Sequence, residues 1–407
     1  MYIFLKNKLV FTVFLILVSL FSETPVYSKG KGPWNLDQLF EAPSFQKTEK
    51  AAQDGMTGIL YESIPVNNNK VQVFAYYSAP EGEVPEEGWP AVVCVHGGGG
   101  TAFYEWVQKW NDHGYAAISM DLEGHYPIRE VQGNKKSPRL STENPGLSRV
   151  GTFEDFEKPI EQQWYYHAVA QVILAHSLLR SFPEVNPDKI GITGISWGGI
   201  LTSTVMGIDP RFKFAIPVYG CGFLPGSDGY QGERIRSGKQ SEVVNAYYDG
   251  SAYFRNAKIP TFWLNGTTDR HFPMPCTQQS YQAIKGKSTI RYQLGMIHGH
   301  KPGWNPEEIY AFANSVVKNG KPLVKFKELK SKGKEAYVSF KASKQVKTVD
   351  LVYTSDSGKW SKRKWQNSQA SISGPKIRAQ IPAGATCVFF TAIDKDNMMV
   401  SSDYLDL

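Results

Sequence analysis

Gly194-Ile195-Ser196-Trp197-Gly198-Gly199 is the stretch on which the fold turns, because it sets a serine inside a G-x-S-x-G pentapeptide directly after a strand-like run, Lys189 to Thr193. On a sharp strand-to-helix turn, any side chain at the flanking glycines would collide with neighbouring backbone. The turn lifts the serine hydroxyl out of the sheet and aims the next N–H, that of Trp197, at a developing negative charge. Ser196 is therefore a candidate nucleophile. Taken alone, the pentapeptide also fits a glycine-rich strand end without chemistry, so its surroundings have to decide.

About 100 residues upstream, a second strand-like run, Ala91-Val92-Val93-Cys94-Val95, leads into His96 and four glycines, Gly97 to Gly100. Such a loop brings backbone close to a substrate and supplies the second N–H of an oxyanion site, with Gly98 as the expected donor and Gly99 as the alternative. A phosphate-cradling loop does not fit, since no Lys followed by Ser or Thr closes the glycine run. Downstream, the buried-strand pattern Pro260 to Gly266 ends in Thr267-Thr268-Asp269. An acid at that strand end, after the serine in the chain, is placed to orient a histidine.

The run Thr289 to Ile297 ends at His298-Gly299-His300, ahead of Asn305-Pro306-Glu307-Glu308, which reads as a helix start. The order Ser, Asp, His is then complete, with 73 residues (269 minus 196) and 31 residues (300 minus 269) between members. His300 is the favoured general base and His298 the alternative. His113, His167 and His176 do not follow a strand as a base of this kind must, and they read as structural.

Together these residues, with Asp121-Leu122-Glu123-Gly124-His125, resemble the α/β-hydrolases of the acetyl xylan esterase and dienelactone-hydrolase-like group, related to prolyl-oligopeptidase-type catalytic domains. The resemblance spans roughly Gly58 to Gly320. It implies Ser196 as nucleophile, His300 as base, Asp269 as its partner, and a doubly wound, mostly parallel sheet. No cofactor and no metal is implied. Arg270-His271-Phe272, after the acid, departs from the pattern in being polar and bulky.

Length and composition agree: 407 residues that are 41% hydrophobic exceed what one such core needs, about 250 to 300 residues. Lys6 and Lys8, the apolar run Leu9 to Phe21 and the small-residue site Val26-Tyr27-Ser28 predict a removable export signal over 1–28. A periplasmic or secreted location follows, with no stable membrane insertion after cleavage. Helix-like and strand-like segments alternate over 29–322, the α/β pattern. Beyond residue 322 only short strand-like runs remain, Trp360 to Trp365 among them, and 323–407 reads as a small β-sandwich-like domain. That region lacks every member of the expected triad. Its removal is expected to spare activity on a small ester, provided it covers no large apolar face of the catalytic domain.

The long connection from His125 to Gln163 emerges beside the nucleophile and reads as a lid or insertion. Trp164, Tyr165, Tyr166 and Trp197 are candidates either for a sugar-stacking surface or for packing that insertion down. Cys94 reads as a core residue; Cys221 and Cys276 lie close to the expected site, and a disulfide between them is the less favoured reading. The net charge of +7 is concentrated in lysines between 318 and 364, which alternate with strand formers and read as a solvated face, not a nucleic-acid surface. The expectation is a serine esterase acting on a carbohydrate ester, most simply an acetyl ester. A uronate methyl esterase, a prolyl-oligopeptidase-type peptidase and a non-catalytic carbohydrate-binding protein are the alternatives. The roughly 60 residues ahead of the core are too few for a gating propeller.

Overall fold

Six strands form the parallel centre of the molecule, and the inner ones are largely apolar and buried on both faces, as expected where helices cover both sides of a sheet. In the computed structural model, which describes residues 32–235 and 238–407, they run in the spatial order Ala116–Met120, Trp89–Val95, Val185–Ile195, Phe214–Val218, Thr261–Gly266 and Ser288–Gln293. Each pairs in parallel with its neighbour. The hairpin Thr57–Val66 and Asn69–Ser78 extends one edge through antiparallel pairing with Ala116–Met120. Helices Tyr104–Asp112, Trp164–Ser181, Trp197–Val205, Met274–Ala283 and Glu308–Val317 pack on the sheet. This is an α/β-hydrolase architecture. The expected export signal lies outside the described residues.

The connection after Met120 is packed rather than open. It folds into a hairpin, His125–Arg129 with Arg139–Ser141, and buries Thr152, Phe153 and Asp155. Asp155 Oδ2 accepts from the Trp164 N–H at 2.6 Å, so the connection itself starts the following helix. Trp164, Tyr165 and Trp197 are buried among one another, with the Trp164 indole N–H donating to the Leu122 carbonyl. Tyr166 stacks on Trp34. These rings hold the insertion down, which corrects the sugar-stacking reading. All four cysteines are buried and free.

The C-terminal residues form two small sheets, and one of them continues the main sheet. Strand Met399–Ser401 pairs antiparallel with Ser288–Gln293 through Ser401 and Ile290, and Cys387–Asp394 and Val346–Thr354 follow. A single sheet of 14 strands results. Three contacts fasten the junction: the Phe389 ring lies 5.6 Å from that of Tyr292, Ser401 Oγ accepts from the Tyr292 N–H, and buried Glu308 binds both Arg291 and the Met399 N–H. The expected strand Trp360 to Trp365 is instead a 3-10 turn, Trp360–Lys362. There Arg363 stacks 3.7 Å from the Trp360 ring, and the Trp360 N–H donates to Asp228 across the junction. The lysines between 318 and 364 are exposed except Lys344, which pairs with Asp396, as a solvated face requires.

The proviso attached to truncation therefore fails. Ending the chain at residue 322 uncovers Tyr292, opens a parallel edge strand and strands the Arg291–Glu308 pair without its backbone donor. The shortened protein is expected to be insoluble, and a soluble product with a cooperative thermal melt would contradict this. Within the full chain, Glu308→Ala leaves the largely buried Arg291 without its carboxylate, with Gln293 Oε1 still accepting from it at 2.8 Å, and is expected to cost about 3 kcal/mol in denaturant unfolding.

Candidate active site

Strand Val185–Ile195 delivers Ser196 to the carboxyl edge of the sheet, and helix Trp197–Val205 starts immediately after it. Between the two, Ser196 takes φ 59° and ψ −113°, a conformation that L residues adopt only when their surroundings impose it. The surroundings are backbone. A Cβ on Gly198 would sit 1.9 Å from the Val95 carbonyl oxygen, and one on Gly194 would sit 2.0 Å from the Gly198 carbonyl oxygen. Only glycine lets the helix start this close to the neighbouring strand. The Ser196 N–H donates to the Val218 carbonyl at 2.9 Å, which ties the turn to the next strand.

Asp269 follows strand Thr261–Gly266 in a turn ordered by buried Asn265, whose amide donates to the Phe272 carbonyl at 2.7 Å and to Thr277 Oγ1 at 2.8 Å. Asp269 Oδ1 accepts from the His271 and Phe272 N–H groups at 2.7 and 2.9 Å, leaving Oδ2 to face the site. His298 stands between acid and serine. Its Nδ1 lies 2.6 Å from Asp269 Oδ2 and its Nε2 lies 3.0 Å from Ser196 Oγ. One tautomer satisfies both contacts, with Nδ1–H donating to the carboxylate and Nε2 accepting from the hydroxyl. Tyr219 and His271 flank the imidazole, each with its ring centroid 4.6 Å away.

The preference for His300 as base is thereby corrected. The strand ends at Gln293, several residues earlier than its sequence pattern suggests, so the loop from Leu294 to Gly299 reaches over the sheet edge and carries His298 to the serine. His300 opens a short helix, His300–Trp304, and its Nε2 accepts from the Gly97 N–H at 2.9 Å. Packing against Phe103 and Trp304 fixes the ring there. Burial, together with the charges of His96 and His298, pushes its pKa down to about 4, so it stays neutral and remains an acceptor. His271 is likewise pushed down to about 4, chiefly by burial.

With the Gly97 N–H held by His300, the next amide in the loop is that of Gly98. Trp197 is the first helical residue, where an N–H has no acceptor within the helix. Neither the Gly98 nor the Trp197 N–H has a hydrogen-bond partner among the described residues. The Gly99 N–H is likewise without a partner among the described residues, and its carbonyl accepts from Arg139 at 3.0 Å. His96, at the start of the loop, accepts from the Leu122 N–H at 2.9 Å and is a brace. Sequence reasoning missed Asn265, His96 and the bracing role of His300. A strand-terminal Asn four residues before the acid was the available signal for the first; the other two depend on contacts across some 200 residues of chain, or between loops.

A serine hydroxyl on a strained turn, a histidine bridging it to an acid and two adjacent free amides is an arrangement for acyl transfer. The model of the acetyl xylan esterase (AXE1) family matches residues 43–228, and that of the prolyl oligopeptidase family matches residues 145–315. The two matches support an acetyl xylan esterase-like α/β-hydrolase of prolyl-oligopeptidase type. Among solved structures it is similar to the acetyl xylan esterase from Paenibacillus sp. R4, at 20% identity and a TM-score of 0.54 over 69% of this chain and 92% of that one. It is also similar to acetyl xylan esterase 1 from Thermoanaerobacterium sp. JW/SL YS485, at 16% identity and a TM-score of 0.51 over 70% and 95%. At those identities the structures attest the fold. The family models indicate a serine hydrolase of carbohydrate esterase-like kind.

Two outcomes separate the histidines. His298→Ala is expected to lower kcat on a small ester by about a thousandfold or more, whereas His300→Ala, which frees the loop amide, lowers it by about tenfold. The reverse order would return the base to His300. Because His271 and His300 titrate lower in the folded chain than the ordinary value of about 6.5, their contribution to stability is complete above that pH. It is lost as pH falls from about 6.5 towards about 4. The thermal midpoint should drop across that window, and the drop should be smaller in His271→Asn/His300→Asn, provided the double variant folds.

Proposed function

We propose that the protein is an exported esterase that removes acetyl groups from a carbohydrate through an acyl-enzyme. Ser196 attacks the ester carbonyl while His298 takes its proton, and the tetrahedral oxyanion is received by the Gly98 and Trp197 amides. His298 then returns the proton to the sugar hydroxyl that leaves. Water, activated by the same imidazole, releases acetate. Asp269 holds the tautomer and offsets the charge of the imidazolium. Each oxyanion amide contributes about 3 to 4 kcal/mol in comparable sites.

The observation that carries this reading is the pair of His298 contacts, 2.6 Å to the acid and 3.0 Å to the serine. The ester rather than peptide assignment is supported by the acetyl xylan esterase family match. Export is supported by the charge and hydropathy of residues 1–28. Among the described residues no helix is long and apolar enough to cross a membrane.

The test is acetate release from acetylated xylan and acetylated oligosaccharides, run beside methanol release from methyl-esterified polyuronates and cleavage of N-blocked peptides. Acetate release that falls by about a thousandfold or more in Ser196→Ala, with the fold intact, is the expected result. Peptide cleavage or methanol release without acetate release would overturn the assignment.

A further inference from the structure

Two guanidinium groups from the long connection converge on the glycine loop beside Ser196, and the triad chemistry uses neither. Arg139 Nη2 donates to the Gly99 carbonyl at 3.0 Å. Arg149 lies one residue nearer the serine, its guanidinium 5.1 Å from the centre of the Trp197 ring and its Nη2 3.3 Å from where a Gly98 Cβ would be. Gly98 and Trp197 are the two residues whose amides face the reacting carbonyl. Arg149 therefore lies beside both residues of the proposed oxyanion site.

The three edges of Arg149 are used differently. Nη1 donates to the Gly151 carbonyl at 2.6 Å, and Nε lies 3.6 Å from Glu123 Oε1, an ion pair without hydrogen-bond geometry. Nη2 makes no hydrogen bond among the described residues, and the side chain keeps 24% of its surface exposed. Arg139 and Arg149 each donate to one carbonyl, those of Gly99 and Gly151, and at Arg149 this leaves the donor nearest Gly98 open. Asp121, Arg129 and Glu123 act on Arg139, Glu123 also pairs with Arg149, and Glu154 lies beside Gly151, the residue whose carbonyl Arg149 holds. Asp121 is buried, and its Oδ1 is committed to the N–H groups of Glu123 and His125.

Building on the esterase reading, we propose that Arg149 sets specificity for acetylated sugars that carry an anionic group, a uronate carboxylate or a sulfate, a few bonds from the scissile ester, with Arg139 adding to the same field. The anion takes the open Nη2 donor while the ester carbonyl lies against the Gly98 and Trp197 amides. A partly exposed charge-assisted hydrogen bond of this kind discriminates by about tenfold.

The experiment compares kcat/KM for acetylated methyl glucuronoside, acetylated methyl glucoside 6-sulfate and the neutral acetylated methyl glucoside. For the wild type, at least one anionic substrate should exceed the neutral one by about tenfold at low salt, and which one does so identifies the anion; the margin should narrow at about 0.5 M salt. In Arg149→Gln the ratio should approach one, and Arg149→Lys should restore part of it. Arg139→Gln, a second variant should the first not fold, should reduce the ratio as well. Good hydrolysis of the neutral glucoside without any anionic preference, or a ratio unchanged in Arg149→Gln, overturns the role of Arg149 and leaves the esterase reading standing. A wild-type protein inert on all three acetates overturns both.

Discussion

The contact between the helix start at Gly198 and the carbonyl of Val95 is the constraint from which the site follows. With no room for a Cβ at Gly194 or Gly198, backbone packs on backbone, and Ser196 is held at positive φ because the chain has no other way from the strand into the helix. That single geometry fixes three things together. It projects the hydroxyl towards His298, leaves the Trp197 N–H without an acceptor, and brings the Gly97–Gly100 loop against the serine. The strain, about 1 to 3 kcal/mol for such a residue, is absorbed by a sheet buried on both faces.

Around this turn the protein builds rigidity from backbone amides. Asp269 is oriented by two of them, His300 accepts a third from Gly97, and His96 a fourth from Leu122. Each histidine of the loops does a different task because its surroundings differ. His298 is partly exposed and faces a carboxylate, whereas His300 is enclosed by aromatic rings and kept neutral. The C-terminal strands extend the same logic. Through Ser401 and Glu308 they complete the strand that leads into the His298 loop, so a region with no triad residue supports the one that carries the imidazole.

The fold was legible in the sequence wherever physics is local. The G-x-S-x-G turn, the glycines after Val95 and the acid after a buried strand each need particular residue types at particular steps, and all three landed at one edge of one sheet. The choice between His298 and His300 was not legible. The two lie two residues apart, and the outcome depended on the strand stopping at Gln293, which its apolar pattern through Ile297 conceals. The continuity of the two sheets escaped for a related reason: pairing of Ile290 with Ser401 spans 111 residues (401 minus 290) and leaves no local mark. Trp164 and Tyr165 read equally well as surface or packing until their burial was known, and Arg149 is one arginine in an irregular connection until Gly98 is seen beside it.

Covalent capture tests the central claim most directly. A fluorophosphonate reacts with a serine only where a neighbouring base activates it and an oxyanion site receives the developing charge. Peptide mapping by mass spectrometry after brief exposure should find a single stoichiometric adduct on Ser196, lost in Ser196→Ala and strongly slowed in His298→Ala but not to that degree in His300→Ala. An unlabelled wild-type protein, or an adduct formed at Ser196 as fast without His298 as with it, would contradict the account.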